Sequence, residues 1–166
     1  MIRVDHAGEY GAVQIYRGQR AVFEAIGGDR EIVRELREME DGEQRHLETF
    51  DDLIHERRVR PTAFAPLWNA AGFALGAATA LIGEKAAMAC TTAVEEVIEE
   101  HYGDQSEELA AIEPELKETV DEFRADEIEH KETAIAAGAK EAFAYPLLSA
   151  GIKSACRLAI RLSEKV

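Results

Sequence analysis

The chain has 166 residues, enough for one domain with a real hydrophobic core, and its 33 acidic against 19 basic side chains give a formal net charge of -14. That charge argues against nucleic acid as a partner, because phosphate binding needs a basic footprint. Two cysteines far apart in Ala- and Leu-rich contexts, Cys90 and Cys156, argue against a disulfide scaffold or a Cys-ligated zinc site and read as buried thiols.

Met1-Ile2-Arg3 leads straight into Val4-Asp5-His6 with no apolar leader, and a first helix is predicted over 4–26, ended by Gly27-Gly28. Asp29 is the expected N-cap of a second helix running to about 57, and Arg58-Val59-Arg60-Pro61 breaks the pattern. A third helical region covers 63–102, interrupted near Gly83 and closed by Gly103-Asp104. A fourth helix spans 114–138 with Pro114 in its first turn, and a last one 146–164. No alternating apolar and polar run is long enough for a strand, so the expected fold class is all-α, one domain over 1–166.

Two segments depart from a soluble pattern. Pro61 through Gly83 contains no charged residue and is long enough to cross a bilayer, yet it is dominated by Ala and Gly and includes Asn69. A buried core helix and a membrane-dipping helix both fit it better than a true span does. In the last helix Lys153, Arg157, Arg161 and Lys165 recur every four residues beside an apolar face of Leu148, Ile152, Ala155, Ala159 and Leu162. A basic amphipathic helix next to an uncharged segment favours docking on a membrane surface.

The chemistry lies in a repeat. Glu43-Gln44-Arg45-His46 and Glu127-Ile128-Glu129-His130 are both Glu-x-x-His, and Glu9 and Glu95 precede them by 34 (43 − 9) and 32 (127 − 95) residues. A Glu and a His three apart on a helix aim at one point. Leu36, Met39, Glu43, His46, Phe50 and Leu53 share one helical phase, as do Leu116, Val120, Phe123, Glu127, His130 and Ala134. Both pairs therefore interrupt an apolar stripe that faces the core. Glu95 falls in line with Met88, Thr91, Ile98 and Tyr102, and Glu9 with Ala12, Tyr16, Phe23 and Ile26. Glu40, Glu48, Glu96, Glu99, Glu100 and Glu129 fall off the stripes and are expected on the solvated surface. Four inward carboxylates and two imidazoles cost too much desolvation to stay unpaired, whereas two divalent cations balance the four charges. Glu9, Glu43, His46, Glu95, Glu127 and His130 are thus the candidate metal ligands. Carboxylate-rich ligation favours iron or manganese over zinc. The pattern matches the ligand set of ferritin-like di-iron bundles, which predicts a ferritin-like four-helix bundle with additional membrane-facing helices.

The residues between the ligands carry a narrower resemblance. Arg3-Val4-Asp5-His6-Ala7-Gly8-Glu9-Tyr10-Gly11-Ala12, Arg58-Val59-Arg60-Pro61-Thr62, Pro66-Leu67-Trp68-Asn69, Ala87-Met88-Ala89-Cys90-Thr91, Ala93-Val94-Glu95-Glu96, Asp126-Glu127-Ile128-Glu129-His130 and Cys156-Arg157-Leu158-Ala159-Ile160 resemble the demethoxyubiquinone hydroxylase family over essentially the whole chain. The resemblance implies a di-iron monooxygenase that uses O2 and an external reductant, NADH in some members, to hydroxylate the ring of a polyprenylated demethoxyubiquinol in ubiquinone biosynthesis. It implies that Glu9, Glu43 and His46 hold one of two iron ions, that Glu95, Glu127 and His130 hold the other, and that Glu43 and Glu127 bridge them. It places His101 and Tyr102 in quinone or electron handling, where a surface His and a core Tyr fit the residues equally well. It further implies peripheral attachment to an inner membrane, on the cytoplasmic face in a bacterium or the matrix face in a mitochondrion, with a lipid-binding partner protein or a homo-oligomer. Two other readings stand beside it: a ferritin- or rubrerythrin-like protein that oxidises iron or removes peroxide, and a quinone- or lipid-binding module with structural metals.

Overall fold

The computed structural model describes residues 1–165, which form six α-helices and no strand. They are α1 (Ile2–Ile26), α2 (Arg30–Glu56), α3 (Ala65–Ile82), α4 (Glu84–Leu109), α5 (Pro114–Ala136) and α6 (Tyr145–Ser163), with a short 3-10 turn at Ala139–Glu141. Helices α1 and α2 form one antiparallel hairpin and α4 and α5 a second, and the two hairpins meet as a four-helix bundle. Outside it, α3 lies along α1 and α6 along α4.

Local signals account for most boundaries. Gly27 ends α1 in the left-handed region, with its N–H on the Phe23 carbonyl, and the Asp29 side chain caps α2 by accepting from the Glu31 N–H at 2.9 Å. Gly83, at φ 138°, separates α3 from α4 in a conformation that side chains disfavour. The predicted stop at Gly103-Asp104 is overturned, because α4 continues to Leu109. Gly103 is a packing residue: a Cβ there would stand 3.3 Å from the Arg124 guanidinium carbon of α5. One interior glycine costs a helix about 1 kcal/mol, which neighbouring turns absorb.

Small residues set the α1–α3 crossing. A Cβ on Gly76 would lie 2.0 Å from the Ile15 carbonyl oxygen, and one on Gly18 would lie 2.3 Å from that of Phe73. Backbone meets backbone here, so no side-chain rotation relieves a larger residue. Gly76→Val is expected to destabilise the chain by about 3 kcal/mol, the upper end of overpacking effects, in denaturant unfolding followed by circular dichroism. An unchanged midpoint would show that α3 is not held against α1 at this point.

The uncharged segment is half seated. Gly72, Gly76, Thr79 and Ala80 are buried, while Leu67, Phe73, Leu81 and Ile82 are exposed. Of the described helices, α3 alone is long and apolar enough to cross a membrane by length and composition. The basic stripe on α6 is partly consumed inside the fold: Lys153 pairs with Glu96 at 2.6 Å and Arg157 with Glu100 at 2.8 Å. Both partners lie on α4, and both pairs repeat at four residues, so two stripe cations fasten α6 to the bundle. Arg161 and Lys165 remain exposed, as do Phe143, Leu147 and Leu158.

Three other expectations need correction. Glu40 is buried, held by Arg17 at 2.9 Å and Arg20 at 2.8 Å, so it braces α1 against α2. Glu99 pairs with Lys131 and is only partly exposed, leaving Glu48, Glu100 and Glu129 as exposed members of that group. Ile26 lies on the surface, because α1 ends there and the chain turns away. Both thiols are free; Cys90 is buried and Cys156 partly so, in one apolar cluster between α4 and α6.

Beside that cluster, the core forms two larger apolar layers. One gathers Tyr16, Phe23, Leu36, Met39 and Met88, and the other Phe50, Leu109, Val120, Phe123 and Tyr102. The Glu-x-x-His residues interrupt these stripes, so they occupy the level between the layers.

Candidate metal centre

All six predicted ligands come together. Glu9 from α1, Glu43 and His46 from α2, Glu95 from α4 and Glu127 from α5 are each no more than 1% exposed. The His130 side chain is 14% exposed. They fall into two overlapping groups whose ligand atoms lie within 4.8 Å of one another: Glu9, Glu43, His46 and Glu127, and then Glu43, Glu95, Glu127 and His130. Glu43 and Glu127 belong to both. Those two carboxylates are therefore the ones placed to reach either of two cations.

The protein leaves these atoms without partners. Both oxygens of Glu43 and of Glu127, Oε2 of Glu9 and of Glu95, and Nδ1 of His46 and of His130 are buried with no hydrogen bond. His130 Nδ1 stands 2.9 Å from Glu43 Oε1, and His46 Nδ1 stands 3.2 Å from Glu127 Oε1, yet neither pair has hydrogen-bond alignment. Buried polar atoms left in this way cost about 1–3 kcal/mol each, and carboxylates more. Atoms that converge without bonding one another suit cations placed between them, and the oxygen-and-imidazole donor set suits iron or manganese.

The surroundings orient the donors. His46 donates Nε2–H to Asp126 Oδ2 at 3.0 Å, because a carboxylate only accepts, and this turns Nδ1 into the centre. The His46 ring stacks on Phe123 with centroids 4.0 Å apart. Gly42 lets the His130 ring lie against α2, where a Cβ would stand 3.2 Å from Nε2. Asp126, Gly42 and Tyr16 escaped the sequence reading as functional residues. The first directly precedes Glu127, and Tyr16 lies on the same helical stripe as Glu9.

Charge repulsion is stored in the metal-free arrangement. Burial, reinforced by Glu43 and Glu127, pushes the Glu9 carboxyl well up, and burial with the same two neighbours does so to Glu95. Burial opposes the imidazolium of His130, but Glu127 and Glu43 outweigh it and raise that group to about 10; His46 is raised by Glu127, Glu43 and Glu9 against the same opposition. The fold therefore holds protons where cations would sit. Raised carboxyls lose their stabilising proton as pH climbs above the ordinary 4.5, and raised imidazoles do so above the ordinary 6.5. Both slopes have the same sign. In chelator, the thermal midpoint is expected to fall between pH 5.5 and 8, at about 1.4 kcal/mol per pH unit for each extra proton the fold holds. Divalent metal should flatten the slope by displacing those protons. A midpoint that rises with pH in chelator would contradict this.

A cavity of about 190 Å³ adjoins the centre. Its walls are almost wholly apolar, with Gly8, Ala12, Leu75, Val94 and Ile160 among them, and Glu9 is one of its few charged lining residues. His101 and Tyr102 also line it. His101 is partly exposed and donates Nε2–H to buried Asp5 at 2.8 Å, where Gln105 also donates at 2.5 Å. Tyr102 is buried, and its hydroxyl donates to Glu9.

Comparison with known proteins finds relatives along nearly the whole chain. The family model described as ubiquinone biosynthesis protein COQ7 matches residues 1–163. The 3-demethoxyubiquinol 3-hydroxylase of Rhodospirillum rubrum is 54% identical over 165 residues, covering 99% of this chain and 76% of that protein. The NADPH-dependent 3-demethoxyubiquinone 3-hydroxylase, mitochondrial, of Mus musculus is 48% identical over 169 residues, covering 99% and 76%. The 5-demethoxyubiquinone hydroxylase, mitochondrial, of Saccharomyces cerevisiae is 42% identical over 181 residues, covering 100% and 77%. The chain belongs to the ubiquinone biosynthesis protein COQ7 family.

Proposed function

We propose that this chain is a monooxygenase of ubiquinone biosynthesis that hydroxylates the ring of a polyprenylated demethoxyubiquinol, using O2 and an external reductant. The observation that carries the reading is its 54% identity, over nearly its full length, to a hydroxylase of that substrate class. The mouse relative's name points to a nicotinamide reductant, and the same class of donor is our reading here.

The assigned metal ligands are Glu9, Glu43, His46, Glu95, Glu127 and His130, with iron as the metal; when bound, the pair supplies O2 activation and transfer of one oxygen atom. The chain's own residues then have separable tasks. Glu43 and Glu127 hold the two positions at a fixed spacing, because each reaches both ligand groups. Asp126 keeps His46 in one tautomer. The apolar cavity admits a ring and excludes bulk water, which protects a reactive centre from side reactions. Asp5 fixes the His101 imidazole at the cavity wall, within reach of a polar ring substituent.

The same cavity favours this reading over an iron store. Trp68, Leu75, Cys156 and Ile160 bring α3 and α6 to its wall, and the outer faces of these two helices carry exposed Leu67, Phe73, Leu147 and Leu158. A tailed quinol resides in a bilayer, so an enzyme that docks by these faces receives its substrate without crossing water. Flotation with liposomes of bacterial phospholipid tests the docking, and Leu81→Glu together with Leu147→Glu should abolish it. Conversion of a short-tailed demethoxyubiquinol, dependent on O2 and iron and read by mass spectrometry, tests the function. Iron oxidation without ring hydroxylation would point to the ferritin-like reading, and quinol binding without turnover to the binding-module reading.

A further inference from the structure

Each outer glutamate is held by a tyrosine from the opposite half of the molecule. Glu9 and Tyr16 share α1 and Glu95 and Tyr102 share α4, both seven residues apart (16 − 9 and 102 − 95). Seven residues is close to two turns, so each Glu and its following Tyr face the same side of their helix. The hydroxyls then cross over. Tyr16 donates to Oε1 of Glu95 at 2.5 Å, and Tyr102 donates to Oε1 of Glu9. Both tyrosines are 1% exposed, and they approach the centre from different apolar layers. On both glutamates the second oxygen, Oε2, is buried with no hydrogen-bond partner.

We propose that Tyr16 and Tyr102 are reciprocal positioning residues, Tyr16 orienting Glu95 and Tyr102 orienting Glu9, so that each half of the metal centre is aligned by the helix that carries the other half's outer ligand. The proposal rests on the di-metal reading above. A hydroxyl bound to one carboxylate oxygen stops the group from rotating and leaves the other oxygen as a single directed donor. An outer glutamate that offers one oxygen leaves room at the ion for a further small ligand, which a chelating carboxylate would occupy. The bonds are also enforced by burial, since neither hydroxyl has water to turn to. On this basis Tyr102 acts through Glu9, in place of the quinone or electron handling that the family resemblance implies for it.

Tyr16→Phe and Tyr102→Phe keep the ring and its packing and delete only the hydroxyl. Cobalt(II) is titrated into the metal-free full chain while the paramagnetically shifted ring protons of His46 and His130 report the two halves separately. Tyr16→Phe is expected to weaken cobalt binding about tenfold at the Glu95/His130 half and to leave the Glu9/His46 half unchanged. Tyr102→Phe should give the mirror result. The same spectra show whether each variant is folded, and a Tyr16→His or Tyr102→His replacement that restores a donor should recover part of the affinity. Equal weakening of both halves, weakening of the half on the tyrosine's own helix, or no change overturns the proposal. So does a Tyr102→Phe enzyme with a raised quinol KM and unaltered cobalt affinities. Failure of the parent chain to bind two cobalt ions would instead remove the di-metal reading, and this proposal with it.

Discussion

Glu127→Ala is expected to abolish iron loading and quinol hydroxylation together. Glu127 belongs to both ligand groups, is fully buried, and leaves both carboxylate oxygens without a hydrogen bond. On the proposed di-metal reading, its loss would remove a donor from each ion and one of the four negative charges that would balance two divalent cations. Partners outside the ligand set cost about 10–100-fold in metal affinity, so a shared ligand should cost more than about 100-fold. Glu127→Gln, which preserves shape and deletes charge, should fail equally, and Glu43→Ala should match it for the same reasons. Asp126→Ala, which removes the hydrogen bond to His46 and no ligand, belongs in the milder range. Metal analysis of purified variants, alongside product formation by mass spectrometry, reads both effects. Full activity in either bridging variant would sink the ligand assignment.

The second large effect separates substrate access from metal chemistry. Gly8→Leu is expected to leave iron loading intact while reducing quinol turnover by about 100-fold or more, the size of effect a small displacement of substrate from a reacting centre produces. Gly8 lines the cavity next to Glu9, and a Cβ there meets no atom within 4 Å, so the added side chain projects into open space and not into backbone. A leucine would occupy much of the about 190 Å³ available. Replacing an interior helical glycine also favours the helix by about 1 kcal/mol, so the variant should melt no lower than its parent. The expected result is a protein that is stable, loaded and nearly inactive. Wild-type turnover would show that the quinol ring does not use this cavity.

Much of the molecule was legible in the amino-acid order because helical phase is a local property. The steps of three and four through Leu36, Met39, Glu43, His46 and Phe50 place acid and imidazole on an apolar face whatever that face meets. Repetition of the pattern in the second hairpin supplied the rest of the buried Glu and His cluster, since an inward carboxylate needs a counter-charge wherever the helices cross. The helix ends at Gly27, Asp29 and Gly83 were readable for the same reason: caps and positive φ are settled within a turn of chain.

What escaped that reading depends on which helix faces which. Gly103 looked like a stop, and only the neighbouring Arg124 makes it a packing residue inside α4. The α6 stripe looked free, but α4 presents Glu96 and Glu100 at the matching interval and takes up Lys153 and Arg157. Glu40 looked solvated until α1 brought Arg17 and Arg20 across it. The tyrosines illustrate the divide most sharply. Their seven-residue offset from Glu9 and Glu95 is written in the chain, but the exchange of hydroxyls between halves is not, because it requires α1 and α4 to lie in register across the metal centre. Periodicity assigns a side chain to a face; its partner is set by the packing of elements distant in sequence.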